Sequence, residues 1–238
     1  GTLTEGRPRY RDTAALTGFA ASEVLRLAAS LDQGSEHPLA AAIVAEARER
    51  GMALSTPESF ESASGIGVRG RVEGKALALG NGALMVEEGV DVSSLQTAAE
   101  RLRAEGASVM FLAIDAQPAG LIAVADMIKE STPEAIEQLR AAGLRLIMAT
   151  GDGETTAQAV AKALGITEVH GEVRPQDKVE LVAALKAQGR RVAMAGDGIN
   201  DAPALALADV GIAMGTGTDV AMSSGQVTLV KGDLRGIV

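Results

Sequence analysis

Residues 191–205 read Arg191-Val192-Ala193-Met194-Ala195-Gly196-Asp197-Gly198-Ile199-Asn200-Asp201-Ala202-Pro203-Ala204-Leu205. The apolar run at 191–195 predicts a strand and 201–208 a helix, with a short loop between them. Asp197 and Asp201 therefore stand four residues apart, at the end of the strand and the mouth of the helix. Glycines on both sides of Asp197 permit a tight turn and close backbone approach by a ligand. Two acids at such a place suit a hard, oxygen-liganded cation such as Mg²⁺, which usually accompanies phosphate.

Working outward, apolar runs alternate with amphipathic segments from Leu144 onward. Residues 145–150 predict a strand, 154–164 a helix, 169–173 a short strand and 176–188 a helix. Further strands are predicted at 210–214 and 227–230. Strand and helix in alternation imply an α/β fold, a parallel sheet covered on both faces. Ligands of such sheets sit beyond the carboxyl ends of the strands. Thr150-Gly151-Asp152 falls at such an end, as Gly196-Asp197-Gly198 does. The backbone amides of a loop leading into a helix near Glu154 make a natural anion site.

The stretch from about 9 to 120 is organised differently. Residues 23–31 and 39–50 are helical by spacing, the second led by Pro38 in its first turn. Residues 68–72 and 76–79 predict a hairpin closed by Glu73-Gly74-Lys75. An amphipathic helix is expected at 92–104, with strands at 108–114 and 121–124. Helices followed by antiparallel strands indicate an α+β unit.

Composition narrows the function classes. The 238 residues carry a net charge of −9 and only four aromatic rings, Tyr10, Phe19, Phe60 and Phe111. That balance argues against a nucleic-acid groove. There is no cysteine, hence no disulfide and no soft thiolate metal site. Hydrophobic content is 47%, yet no apolar run approaches the roughly 20 residues that span a bilayer.

Several strings, in this order along the chain, resemble those of the P-type ATPases, within the haloacid-dehalogenase-like phosphoryl-transfer superfamily. They are Gly1-Thr2-Leu3-Thr4-Glu5-Gly6, Thr150-Gly151-Asp152, Pro175-Gln176-Asp177-Lys178, the stretch at 196–205, and Met214-Gly215-Thr216-Gly217-Thr218-Asp219-Val220-Ala221. Ser35-Glu36-His37-Pro38-Leu39, Gly65-Ile66-Gly67-Val68 and Gly80-Asn81 resemble the nucleotide-site motifs of the heavy-metal branch. Val227-Thr228-Leu229-Val230-Lys231-Gly232-Asp233-Leu234 leans toward its copper(I)-exporting members. Singly, a Gly-x-Gly, a lone His or an Asp-Gly is ordinarily a turn or a cap; their joint order carries the reading.

The resemblance implies a phosphorylation domain at 1–8 and 121–238 with a nucleotide-binding domain inserted at 9–120. It implies ATP and Mg²⁺ as cofactors, with Asp197 the more direct Mg²⁺ ligand and Asp201 its companion. Thr2, Thr150 and Gly151 would hold phosphoryl oxygens, Asp152 would lie at the edge of the site, Asn200 would hydrogen-bond the phosphoryl group, and Lys178 would neutralise it. ATP would be held by His37 and its neighbour Glu36, by Gly65, Gly67, Gly80 and Asn81, and by Asp32, which stands where the family usually has Glu. Asp126-Met127-Ile128-Lys129 would join the two domains, and the segment at 214–221 would support the first. The family's phosphorylated Asp lies three residues before the position of Gly1, so the chain reads as beginning just past it. The partners implied are transmembrane and actuator domains of the same polypeptide, and the place is the cytoplasmic face of a membrane. Two rivals are a soluble phosphatase of the same superfamily with a cap domain, and a non-catalytic nucleotide-binding module.

Overall fold

The computed structural model describes residues 1–63, 65–215 and 219–237, so Thr216, Gly217 and Thr218 of the supporting motif lie outside the described residues. The chain folds into two compact units, Arg7–Ala125 and Gly1–Gly6 with Asp126–Val238.

In Arg7–Ala125 the elements are β1 (Arg9–Ala15), α1 (Ala21–Asp32), α2 (Pro38–Glu49), β2 (Ser59–Ala63), β3 (Gly67–Val72), β4 (Lys75–Gly80), α3 (Gly82–Glu87), α4 (Gln96–Ala104), β5 (Ser108–Ile114) and β6 (Gln117–Ala125). The strands form one sheet in the order β1-β6-β5-β4-β3-β2, with every neighbouring pair antiparallel. Side chains alternate across it. Ile122 and Val124 of β6 pack with α1 and α2, whereas Leu121 and Ala123 join Leu84, Met85 and Leu102 of α3 and α4. A strand buried on both faces needs apolar residues at every position, which is why β6 reads as an unbroken hydrophobic run. That run does not mark a strand of the parallel sheet. The boundary expected at 120/121 lies at Ala125/Asp126, because β6 pairs with β1 and β5, and the boundary expected at 8/9 lies at Gly6/Arg7.

The β3–β4 hairpin is closed by Glu73 and Gly74 at φ 52° and 74°, the left-handed pair that a two-residue turn requires. The helix expected over 92–104 is shorter. Asp91 Oδ1 accepts from the Ser93 amide at 2.9 Å, residues Ser93–Leu95 form a 3₁₀ turn, and α4 starts at Gln96.

In the other unit the order is α5 (Thr132–Ala141), β7 (Ile147–Ala149), α6 (Glu154–Leu164), β8 (Glu168–His170), α7 (Pro175–Ala187), β9 (Ala193–Gly196), α8 (Ala202–Leu207), β10 (Val210–Met214), α9 (Asp219–Ser224) and β11 (Val227–Leu229). The strands are parallel, in two ladders, β11-β10-β9 and β7-β8. Among the described residues no ladder joins β7 to β9. The alternation holds as expected, in two sheets instead of a continuous one. α6 stops at Gly165, in the left-handed conformation at φ 66°, a common helix terminator.

Residues 126–132 run antiparallel to 2–6. Glu5 donates its amide to Met127 O at 2.8 Å, Thr4 bridges Ile128, and Leu3 O accepts from the Lys129 amide at 3.1 Å and the Thr132 hydroxyl at 2.8 Å. The first residues of the chain are thus held by backbone bonds in a defined path beside β9.

Candidate functional site

At the end of β9, the Thr2 hydroxyl donates to Asp197 Oδ1 at 2.9 Å, and the amino nitrogen of Gly1 lies 3.3 Å from Asp197 Oδ2. Gly1 packs so closely that an added Cβ would stand 2.0 Å from that oxygen. Burial pushes the Asp197 carboxyl up, and the Thr2 hydroxyl and Lys129 act in the opposite direction. The carboxylate is 31% exposed, so it can be reached from solvent.

Asp201 has a different position. It is 6% exposed. Its Oδ2 accepts from the amides of Asp197 at 3.2 Å and Gly198 at 3.1 Å, and its Oδ1 accepts from Lys178 Nζ at 2.7 Å. Gly196 is required for this packing, since a Cβ there would lie 2.6 Å from Asp201 Cβ. The close approach that the glycine permits is made by a side chain of the same loop. Lys178 sits in the first turn of α7, where Pro175 is preset for the helix and Asp177 Oδ2 caps the Arg174 amide at 2.8 Å. Asn200 is exposed in the 3₁₀ turn at Ile199–Asp201.

The strand end at β7 forms a separate cluster. The Thr150 hydroxyl donates to Asp152 Oδ2 at 2.8 Å and accepts from the Asp152 amide at 3.2 Å. Gly151 has only Val173 O, at 3.7 Å, near its missing side chain, so its backbone face is open. The neighbouring loop is pinned to this one, with Glu172 donating its amide to Asp152 O at 2.7 Å and Val173 donating to Thr150 O at 2.9 Å.

In Arg7–Ala125 the expected nucleotide residues fall into three places. His37 is exposed and N-caps α2, its Nδ1 accepting from the Leu39 amide at 3.2 Å. That bond occupies Nδ1, and among the described residues none is bonded to Nε2. Glu36, beside it, is exposed. Gly65, Gly67, Gly80 and Asn81 come together at the β3–β4 end: Gly67 and Gly80 are register partners, and Asn81 donates its amide to Ile66 O at 2.9 Å. The Asn81 side chain caps α3, accepting from Ala83 and Leu84 at 3.0 and 3.2 Å. A Cβ on Gly67 would meet Leu79 O at 2.4 Å, and one on Gly80 would meet Ile66 O at 2.2 Å, whereas nothing lies within 4 Å of one on Gly65. Gly67 and Gly80 are therefore small because the sheet packs against them, whereas the side-chain position of Gly65 is open and its carbonyl accepts from Asn81 Nδ2 at 3.4 Å.

Asp32, near the end of α1, is 4% exposed and its Oδ2 has no hydrogen-bond partner. Burial pushes its carboxyl up to about 7.

Three residues gain a place beyond the roles read from sequence. Asp126 Oδ2 accepts from the Thr4 hydroxyl at 2.5 Å and the Gly6 amide at 3.1 Å, so it clamps the first loop in addition to standing where the chain re-enters this unit. Thr4 is its partner. Lys129 donates to Thr2 O at 3.2 Å and Gly232 O at 2.9 Å. A four-residue string such as Asp-Met-Ile-Lys carries no signal of which distant carbonyls it will meet.

The haloacid dehalogenase-like hydrolase family model matches residues 1–209. The chain is 55% identical over 238 residues to a copper-transporting P-type ATPase of Rhizobium leguminosarum bv. viciae, covering 100% of this chain and 28% of that protein. It is 49% identical over 234 residues to a silver exporting P-type ATPase of Salmonella typhimurium, covering 98% of this chain and 28% of that protein. The solved catalytic domain of the CPx-ATPase CopB-B matches with a TM-score of 0.76 at 32% identity, covering 100% of this chain and 83% of that one. The chain thus spans less than a third of the length of these curated relatives and most of the length of the isolated domain.

Proposed function

This chain belongs to the haloacid dehalogenase-like hydrolase family and, within it, to the heavy-metal P-type ATPases, and on that premise we propose that it is the ATP-binding and phosphoryl-transfer portion of a pump exporting a heavy-metal cation, Cu(I) in the first instance. The observation that carries the proposal is Thr2 seated on Asp197 while Lys178 and Asp201 brace the same loop from behind. A hydroxyl, a charged accessible carboxylate and a nearby ammonium are the parts that positioning and charge neutralisation of a phosphoryl group require.

Under this reading Gly1–Gly6 with Asp126–Val238 is the phosphorylation domain and Arg7–Ala125 the nucleotide-binding domain. Thr2, Thr150 and Gly151 hold phosphoryl oxygens, Asn200 donates to them, and Lys178 offsets their charge with the donors that Asp201 leaves over. Asp152 holds the Thr150 hydroxyl in place. His37 offers its exposed ring and Gly65 the open space beside it to ATP, while Gly67, Gly80 and Asn81 build the floor beneath. Asp32 and Glu36 complete the acid side of that pocket.

Mg²⁺ fits these residues through Asp197. The ion typically takes one or two carboxylates plus phosphate oxygens and keeps its waters, and among the described residues no group of three or more His, Cys, Asp or Glu forms a metal cage. When bound, it would neutralise phosphate charge. Asp201, with its carboxylate bonded to Lys178 and two amides, would act through the loop that carries Asp197.

The remaining parts of the pump, transmembrane helices and an actuator domain, belong to the same polypeptide in this proposal. Among the described residues no helix is long and apolar enough to cross a membrane, and the domains formed by this chain would lie on the cytoplasmic face. The identity with copper-transporting relatives supports Cu(I), and the silver-exporting relative supports Ag(I) as a second cargo. The test is phosphorylation of the longer, membrane-anchored protein from γ-labelled ATP. Acid-stable, hydroxylamine-sensitive label that rises with Cu(I) is expected. Hydrolysis of small phosphoesters with no such label and no ATP affinity would replace the proposal with a soluble phosphatase.

A further inference from the structure

The segment at 126–132 has a half-buried cation with no carboxylate in direct contact among the described residues. Lys129 Nζ donates to two backbone carbonyls, Thr2 at 3.2 Å and Gly232 at 2.9 Å. These lie on the first loop of the unit and on the segment following β11, 230 residues apart in sequence, which also share an apolar cluster through Leu3, Leu234 and Ile237. Burial draws the ammonium below its ordinary value, and Asp197, Asp126 and Asp233 act through space in the opposite direction. Lys129 also lines a polar cavity of about 600 Å³ together with Lys231, Gly232 and Asp233.

Two neutral carbonyls do not need a cation. A glutamine or a water would satisfy them without the desolvation cost of an ammonium. A positive charge in that place makes sense where negative charge is held or accumulates, and Thr2, whose carbonyl it grips, has its hydroxyl on Asp197. Displacing Thr2 by about 1 Å would carry its hydroxyl away from the place where its single proton can turn from the carboxylate to a phosphoryl oxygen, and errors of that size cost on the order of 10²-fold in rate.

We propose that Lys129 is a positioning residue for phosphoryl transfer: it fixes Thr2 against Asp197, ties that loop to the segment at Gly232, and supplies positive charge behind the phosphoryl site. The proposal rests on the function assigned above to Thr2 and Asp197.

The experiment compares wild type, Lys129→Met and Lys129→Arg in the longer protein, measuring initial phosphorylation by γ-labelled ATP per folded molecule, with the folded fraction taken from urea unfolding. The expected result is a fall of about 10- to 100-fold in the rate for Lys129→Met, an ATP half-saturation within about two-fold of wild type, and recovery to within a few-fold in Lys129→Arg. Equal rates in wild type and Lys129→Met overturn the proposal. So does a Lys129→Met chain that does not fold, or one in which label falls only with the folded fraction, because the lysine would then be scaffold alone. Absence of label from wild type, in contrast, overturns the function itself and is seen before any variant is compared.

Discussion

Lys178 Nζ stands 2.7 Å from Asp201 Oδ1, and the two side chains are only 16% and 9% exposed. The other oxygen of Asp201 receives the amides of Asp197 and Gly198. The acid that sequence reading pairs with Asp197 is therefore the anchor of the loop on which Asp197 is presented, and it fixes the lysine at the same time.

A division of effects follows for the two acids. Asp201→Ala leaves Lys178 without its partner and two amides unpaired, and should cost about 3 kcal/mol of stability. Asp197→Asn should change the urea midpoint little and weaken Mg²⁺ binding by calorimetry. Equal loss of stability in both variants would show that the division is wrong.

The glycines of the inserted unit should separate in the same way. Gly67→Val drives a side chain into Leu79 O and the Gly80 backbone, and Gly67 already sits at φ 148°, so thermal unfolding should shift down by several degrees. Gly65→Ala meets no atom within 4 Å and bears only the left-handed penalty of its φ of 79°, about 1 kcal/mol. Its effect should appear mainly as weaker ATP binding. A Gly65→Ala chain that binds ATP as wild type does would remove this residue from the pocket.

His37 combines a cap with an exposed ring, and two substitutions tell them apart. Asn is a good N-cap, so His37→Asn should keep the stability of α2 and lose nucleotide affinity. His37→Ala should lose both, with about 1 kcal/mol from the missing cap. Calorimetric ATP titration beside thermal melts of the two variants measures this, and undiminished affinity in His37→Asn would exclude the ring from ATP recognition.

Asp32 gives a pH dependence whose sign can be worked out. Burial raises its folded carboxyl to about 7, against roughly 3.9 in an unfolded chain. Between those values the folded state keeps a proton that the unfolded chain has released, so stability falls as pH rises. The contribution is fully present below about pH 4 and is lost by about pH 7, a difference on the order of 4 kcal/mol. Asp32→Asn should flatten this slope in urea unfolding measured from pH 4.5 to 7.5. A slope unchanged by the substitution would place the titrating group elsewhere.

Periodicity and punctuation carry local structure here with good fidelity. α6 runs over Glu154–Leu164 and β10 over Val210–Met214 as expected, because apolar spacing, a left-handed Gly165 and short loops act within a few residues of one another. The order of motifs was likewise enough to identify the family. β1 escaped sequence reading because Arg9–Ala15 is an edge strand with charged residues on an exposed side, and its pairing to β6 spans more than a hundred residues.

What the sequence by itself determined is the family and the local turns and caps around Thr2, Thr150, Lys178 and Asp197, the residues proposed for the phosphoryl site. Which groups meet was decided only in three dimensions. Asp201 and Lys178 are 23 residues apart and Thr2 and Asp197 are 195 apart, and a carboxylate becomes an anchor or an open ligand according to which donors the fold brings against it. The same holds for the glycines, alike in sequence, of which Gly67 and Gly80 face backbone across a ladder and Gly65 faces open space. Hydrogen bonding and steric exclusion act over 2–4 Å, so partners distant along the chain become legible only once it has folded.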